Sequence, residues 1–103
     1  MIYRESDIFI MASHHESLPR TIFEAMANST PVIATNVGGI KYEFQDEVDI
    51  IKIDPKNSIQ IYEAIIKLIK NTKLRKTIIK NGFHKSTKMT LDFSISSLKK
   101  HLI

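Results

Sequence analysis

Two short apolar runs, "SDIFIMAS" and "TPVIATNV", are separated by "LPRTIFEAMANS", whose apolar residues recur at helical spacing. Each run is rich in Ile, Val or Phe and closes on polar residues, the pattern of a buried strand. Between them Pro19 suits a first helical turn, and Ile22, Phe23, Met26 and Ala27 share one side. A strand, helix, strand unit of this kind favours a parallel pair joined by a right-handed crossover. Pro31 sits at the start of the second run, where a missing N–H does least harm.

A third strand is predicted in "DIIKID", Asp49 to Asp54. Helices are predicted over residues 57 to 70, where Asn57 with Gln60 resembles a capping box, and from Lys73 towards Asn81-Gly82. Asn81-Gly82 reads as a helix stop or as a weak point in a longer helix, and Thr90 as the cap of a third helix carrying Leu91, Ile95, Leu98 and Leu102. Gly38-Gly39 reads as a turn after the second strand. The fold class is therefore α/β, a parallel sheet of about three strands with C-terminal helices. So small a parallel sheet leaves open edges, which suggests a part of a larger unit.

The 103 residues fit one small domain, and 43% hydrophobic with 25% charged is ordinary for a globular protein. Without cysteine there is no disulfide, no thiolate metal site and no thiol redox chemistry, so a reducing cytoplasm is the expected setting. The start, "MIYRESDIF", has no long apolar run and is not a signal peptide, and no segment approaches a membrane span. The net charge of +4 is uneven: residues 67 to 100 hold ten of the fifteen Lys and Arg and one acid, Asp92. These lysines alternate with apolar residues at helical spacing, as on a solvated helix face. A nucleic-acid surface would want aromatic residues interleaved among the basic ones throughout the stretch, whereas only Phe83 and Phe93 occur in it, and it carries no recognised motif.

Two carboxylates, Glu16 and Glu24, bracket Pro19. With the helix at 19 to 28, Glu24 lies ~7.5 Å along its axis and Glu16 in the loop ahead, on the order of 10 Å apart. That exceeds the roughly 5 to 9.5 Å of paired-carboxylate glycosidases. Two acids this far apart hold two parts of one ligand better than they share one bond. The amides of Leu18, Arg20 and Thr21 would face out of the helix start, a phosphate-binding arrangement, and strand-to-helix turns of such sheets are where ligands bind. A carboxylate one turn into the helix can take the vicinal hydroxyls of a ribose; together these features describe a site for a nucleotide diphosphate sugar. The plainer alternative is a surface pair, Arg20 with Glu24, worth ~0.3 kcal/mol, beside an ordinary loop acid. His14 and His15 have no third ligand at metal spacing, so no metal is expected; His15 either lines the sugar site or is solvated.

The stretch "SDIFIMASHHESLPRTIFEAMANSTPVIATNVGGI" resembles the signature of glycosyltransferase family 4 (group 1), retaining, nucleotide-sugar-dependent enzymes of two Rossmann-like domains. Glu16 and Glu24 fall on the two glutamates of its E-x7-E motif, and Gly38-Gly39 on its Gly-Gly pair. The resemblance continues more loosely through "DPKNSIQIYEAIIKLIKNTKLRKTI". It implies a partial Rossmann-like sheet, the C-terminal portion of the second domain of a GT-B glycosyltransferase, spanning residues 1–103. It implies that Glu24 binds ribose, that Glu16 lies at the donor sugar as the catalytic-site acid, and that Ser17, Leu18 and Pro19 face sugar and diphosphate, with Arg20, Thr21 and His15 beside them.

Where the family usually has glycine, this chain has Ser17, Ser29, Glu47 and Ile50, and Lys41-Tyr42 replaces its usual Pro-Glu. If the backbone there needs positive φ, each non-Gly residue costs of order 1 kcal/mol. The acceptor domain and the start of the donor domain, with the Arg and Lys that neutralise the diphosphate, have no counterpart. The resemblance thus implies a fragment of a hexosyltransferase with a glycan or lipid-linked acceptor and no cofactor beyond its NDP-sugar substrate. It would be inactive alone, cytoplasmic, with at most peripheral contact at the inner membrane face. The alternatives are an inactive binding or interaction remnant, or one half of a split enzyme that pairs with a separately encoded N-terminal half.

Overall fold

The computed structural model describes residues 8–12 and 20–102, with side chains as far as residue 89. The elements run β1 (Phe9–Met11), α1 (Arg20–Ala27), β2 (Val32–Thr35), α2 (Gly38–Glu43), β3 (Ile51–Ile53), α3 (Ser58–Lys70) and α4 (Thr72–Leu102). The strands form one sheet in the order β1-β2-β3. Both pairings are parallel, with Phe9 opposite Val32 and Ile33 opposite Ile51. All three predicted strands are present, each shorter than its apolar run, and the helix-length crossover enforces the parallel pairing. Pro31 donates nothing to the ladder, but its carbonyl accepts from Phe9 N at 3.0 Å.

All four residues of β2 are buried. Alternation along the strand feeds two cores. Val32 and Ala34 pack with Phe9, Ile22, Ala25, Met26, Ile40 and Phe44 under α1 and α2. Ile33 packs with Ile51, Ile53, Ala64, Leu68 and Ile78 under α3 and the first part of α4. The helices thus cover both faces, as a parallel sheet requires.

The local signals were partly right. Asn57 Oδ1 accepts from Gln60 N at 3.1 Å, but the Gln60 side chain turns to Asp54, so only half of a capping box forms. Gly38-Gly39 opens α2 rather than making a free turn, with Gly38 at φ 50°. Of the two readings of Asn81-Gly82 the longer helix holds and the stop is overturned, and so is a separate helix capped at Thr90, because α4 runs unbroken from Thr72 to Leu102. Gly82 serves packing instead: a Cβ there would stand 3.0 Å from Met26 Cγ and 3.6 Å from the Asp49 carbonyl oxygen. The missing side chain lets α4 close on α1 and on the loop before β3.

Three further contacts fix that crossing. Asn81 Nδ2 donates to the Val48 carbonyl at 2.8 Å. Lys85 Nζ pairs with the buried Asp49 carboxylate at 3.5 Å and lies 5.1 Å from the centre of the Phe44 ring. The other Asp49 oxygen accepts from Gln45 N at 2.9 Å, closing the turn that leads into β3.

Ser29 and Glu47, two of the positions where the family usually has glycine, adopt φ 56° and 60°. Ser29 ends α1 in a Schellman arrangement: Ser29 N donates to the Met26 carbonyl and Thr30 N to the Ala25 carbonyl, each at 3.0 Å. Ile50, by contrast, is not among the described residues with positive φ.

The two sheet edges differ. On β3 the outward N–H of Lys52 is taken by Asp46 Oδ1 at 2.8 Å. Among the described residues β1 has a neighbour on one side only. Ile10, which pairs with Ile33 and so lies on the α3 face, is 40% exposed, and Ile59, Tyr62 and Ile69 of α3 are exposed as well.

Three outcomes follow for stability and association. Ser29→Gly raises unfolding free energy by about 0.5 to 1 kcal/mol in urea melts, because glycine carries no Cβ penalty in the left-handed region. Gly82→Leu lowers it by about 1 to 3 kcal/mol although Leu is the better helix former, because the side chain meets Met26. At micromolar concentration the chain sediments as an associated species through the β1 edge and the apolar face beside it, and Ile10→Lys shifts it towards monomer. A wild-type monomer with a cooperative melt would count against that edge.

Candidate functional site

The carboxyl ends of parallel strands are where α/β sheets bind ligands. Here that end carries Ala12 after β1, Asn36 after β2, Asp54 after β3 and the start of α1 at Arg20. His15, Glu16, Ser17, Leu18 and Pro19, five of the predicted site residues, lie outside the described residues, as does His14.

The other three, Arg20, Thr21 and Glu24, are exposed on α1. The helix buries Ile22, Ala25 and Met26, so the 3.6-residue period turns Glu24 away from the sheet. Its carboxylate Oε1 is 3.7 Å from Arg20 Nε, with side-chain exposures of 58% and 87%. The surface pair allowed by the spacing therefore forms. A contact this exposed contributes little and breaks easily, so the Glu24 carboxylate stays open to a ligand.

Residues beyond the predicted set also gather at this end. Thr35 Oγ1 donates to the Met11 carbonyl at 3.4 Å, tying β2 to β1. Asn36 N donates to the Ile53 carbonyl at 2.8 Å, extending the ladder past β2, while Asn36 Oδ1 is buried without a hydrogen-bond partner. On the α3 side a cavity of about 250 Å³ is lined by Ala12, Thr35, Ile53 and the loop Asp54 to Ser58, in which Lys56 has φ 62°. A second cavity, about 260 Å³, lies along β3, and its charged groups are largely paired, Glu47 with Lys67 at 3.5 Å and Asp46 with Lys52 N. Arg20, Thr21 and Glu24 line neither.

Asn36 and the loop after β3 carry no motif, which is why sequence spacing misses them. The available signal is positional: a polar residue directly following an apolar strand in a parallel sheet sits at the ligand end. Among the described residues no three His, Asp or Glu side chains gather as a metal site, and no helix is long and apolar enough to cross a membrane.

Residues 1–85 match the family of group 1 glycosyl transferases. An uncharacterized glycosyltransferase of Methanocaldococcus jannaschii is 32% identical over 97 residues, which are 94% of this chain and 28% of that protein. The C-terminal domain of a group 1 glycosyl transferase from Francisella tularensis superposes with a TM-score of 0.73 at 36% identity, covering 80% of this chain and 42% of that one. Anabaena HepE, solved in complex with UDP, has the same fold at 24% identity, with a TM-score of 0.77 over 92% of this chain and 28% of its own. The chain thus spans under half the length of each of these proteins.

Proposed function

Since the chain belongs to the group 1 glycosyltransferases, we propose that it supplies the ribose and diphosphate side of the donor site of a retaining, nucleotide-sugar-dependent hexosyltransferase, of the E-x7-E kind found in family 4. The observation that carries this reading is α1: it starts at the carboxyl end of the sheet and presents Glu24 to solvent one turn in.

In this reading the Glu24 carboxylate accepts from the two ribose hydroxyls of the donor, giving up its loose contact with Arg20. The diphosphate lies against the start of α1, where unpaired amides and the helix dipole favour negative charge. Arg20, in that first turn, is free to turn its guanidinium to a phosphate once Glu24 is engaged. Glu16 sits at the donor sugar, and the acceptor is a glycan or a lipid-linked sugar. Stabilising charge on the leaving diphosphate is the main catalytic task, and no metal is needed for it where cationic side chains suffice. Arg20 is the one cationic side chain that α1 itself carries, so the reading assigns this chain binding rather than turnover.

Calorimetric titration with UDP, GDP, UDP-glucose and GDP-mannose tests this. One nucleotide series binds, Glu24→Ala weakens it about tenfold or more through loss of charge-assisted hydrogen bonds, and the same change alters stability by less than about 0.5 kcal/mol. The isolated chain turns over neither sugar nucleotide. Binding that ignores Glu24→Ala would sink the ribose role, and turnover abolished by that substitution would sink the assignment to binding alone.

A further inference from the structure

Asn36 is the first residue past β2, the central strand, and the ladder reaches it through its backbone N–H. Val32 and Ala34 face α1 and α2, whereas Ile33 and Thr35 face the α3 side. Asn36 itself lies at the bend that follows the strand, where Val37 N donates to the Thr35 carbonyl at 2.9 Å, two residues ahead of Gly38 and at the ligand end of the sheet. Its Oδ1 is the one buried side-chain polar atom among the described residues that lacks a hydrogen-bond partner. Such an acceptor carries its desolvation penalty with nothing to offset it, and native structures hold few of them.

We propose that Asn36 Oδ1 is a hydroxyl-reading contact of the donor site, accepting a hydrogen bond from a ribose or hexose hydroxyl of the bound nucleotide sugar. This rests on the nucleotide-sugar reading of the site. The choice of hydroxyl follows from the chemistry of the unpaired atom. Oδ1 can only accept, and so can a diphosphate oxygen, so the two have no proton to share; a sugar hydroxyl donates. Because Oδ1 is closed to solvent in the unliganded chain, a hydroxyl reaches it only as the groups above it part. Donor binding and a local rearrangement at the end of β2 therefore occur together.

The test compares wild type, Asn36→Leu and Asn36→Ala, each melted without ligand and titrated with UDP and UDP-glucose, or with GDP and GDP-mannose if the wild type binds those. Leu fills the space of Asn and needs no donor, so it raises the unliganded melting temperature by about 4 °C or more while weakening donor binding roughly tenfold. Ala loses the same affinity. A loss confined to the sugar nucleotide assigns the hydroxyl to the hexose, and an equal loss on the free nucleotide assigns it to the ribose; either supports the proposal. Unchanged affinity in both variants overturns it, as does a lower melting temperature for Asn36→Leu, which would mean that Oδ1 is already paired. A wild-type chain that binds none of these ligands removes the parent reading and this inference with it.

Discussion

A parallel sheet must be covered on both faces, and β2 is the strand on which that requirement falls hardest. Its four residues are buried, two cores meet on it, and both of its edges are paired in parallel. A chain of this size has few helices with which to cover two faces. It uses α1 and α2 on one and α3 on the other, with α4 adding Ile78 to the α3 core and then crossing to α1 at Gly82. That route is possible only if α4 can approach α1 closely, and Gly82 against Met26 supplies the clearance. The close crossing of α4 on α1 thus uses a residue without a side chain in the middle of a helix.

The same residue marks the boundary of what sequence periodicity could reveal. Strands and helices whose apolar spacing is set by their own burial, such as β2, α1 and α3, were legible because pattern and fold share a cause. At Asn81-Gly82 the sequence left a stop and a longer helix open, because Gly is read locally, whereas here the longer helix forms and the glycine's role is set by Met26, more than fifty residues earlier in the chain. Ser29 and Glu47 show the opposite case. Neither residue type signals a left-handed backbone, but the resemblance flagged both positions as ones where glycine is usual, and both have positive φ.

At the candidate site Glu24 is exposed because Ile22, Ala25 and Met26 claim the inner face; of the apolar side expected from the sequence Ile22 and Met26 are buried, Phe23 is half-buried and Ala27 is exposed, with Ala25 inside in its place. Spacing could not decide between ligand residue and surface pair, and the structure shows why the two are compatible: a contact of 3.7 Å between two exposed groups is weak enough to yield to a ligand. Asn36 was invisible for a different reason. What distinguishes it is a missing hydrogen bond, a property of the folded surroundings that no residue type announces.

The two ends of the sheet divide the work. At the amino end Asp49, Asn81, Gly82 and Lys85 lock α4 to the turn before β3, and Asp49 has both carboxylate oxygens engaged. At the carboxyl end stand a carboxylate held only by an exposed ion pair and a buried acceptor without a donor, and the second of these costs folding free energy. Such features persist in a marginally stable chain only if the rest of the fold holds them in place. The tight bracing at the amino end is what allows the other end to remain unsatisfied. A ligand that offers hydroxyl donors there would recover the hydrogen bond that the unliganded fold leaves unmade.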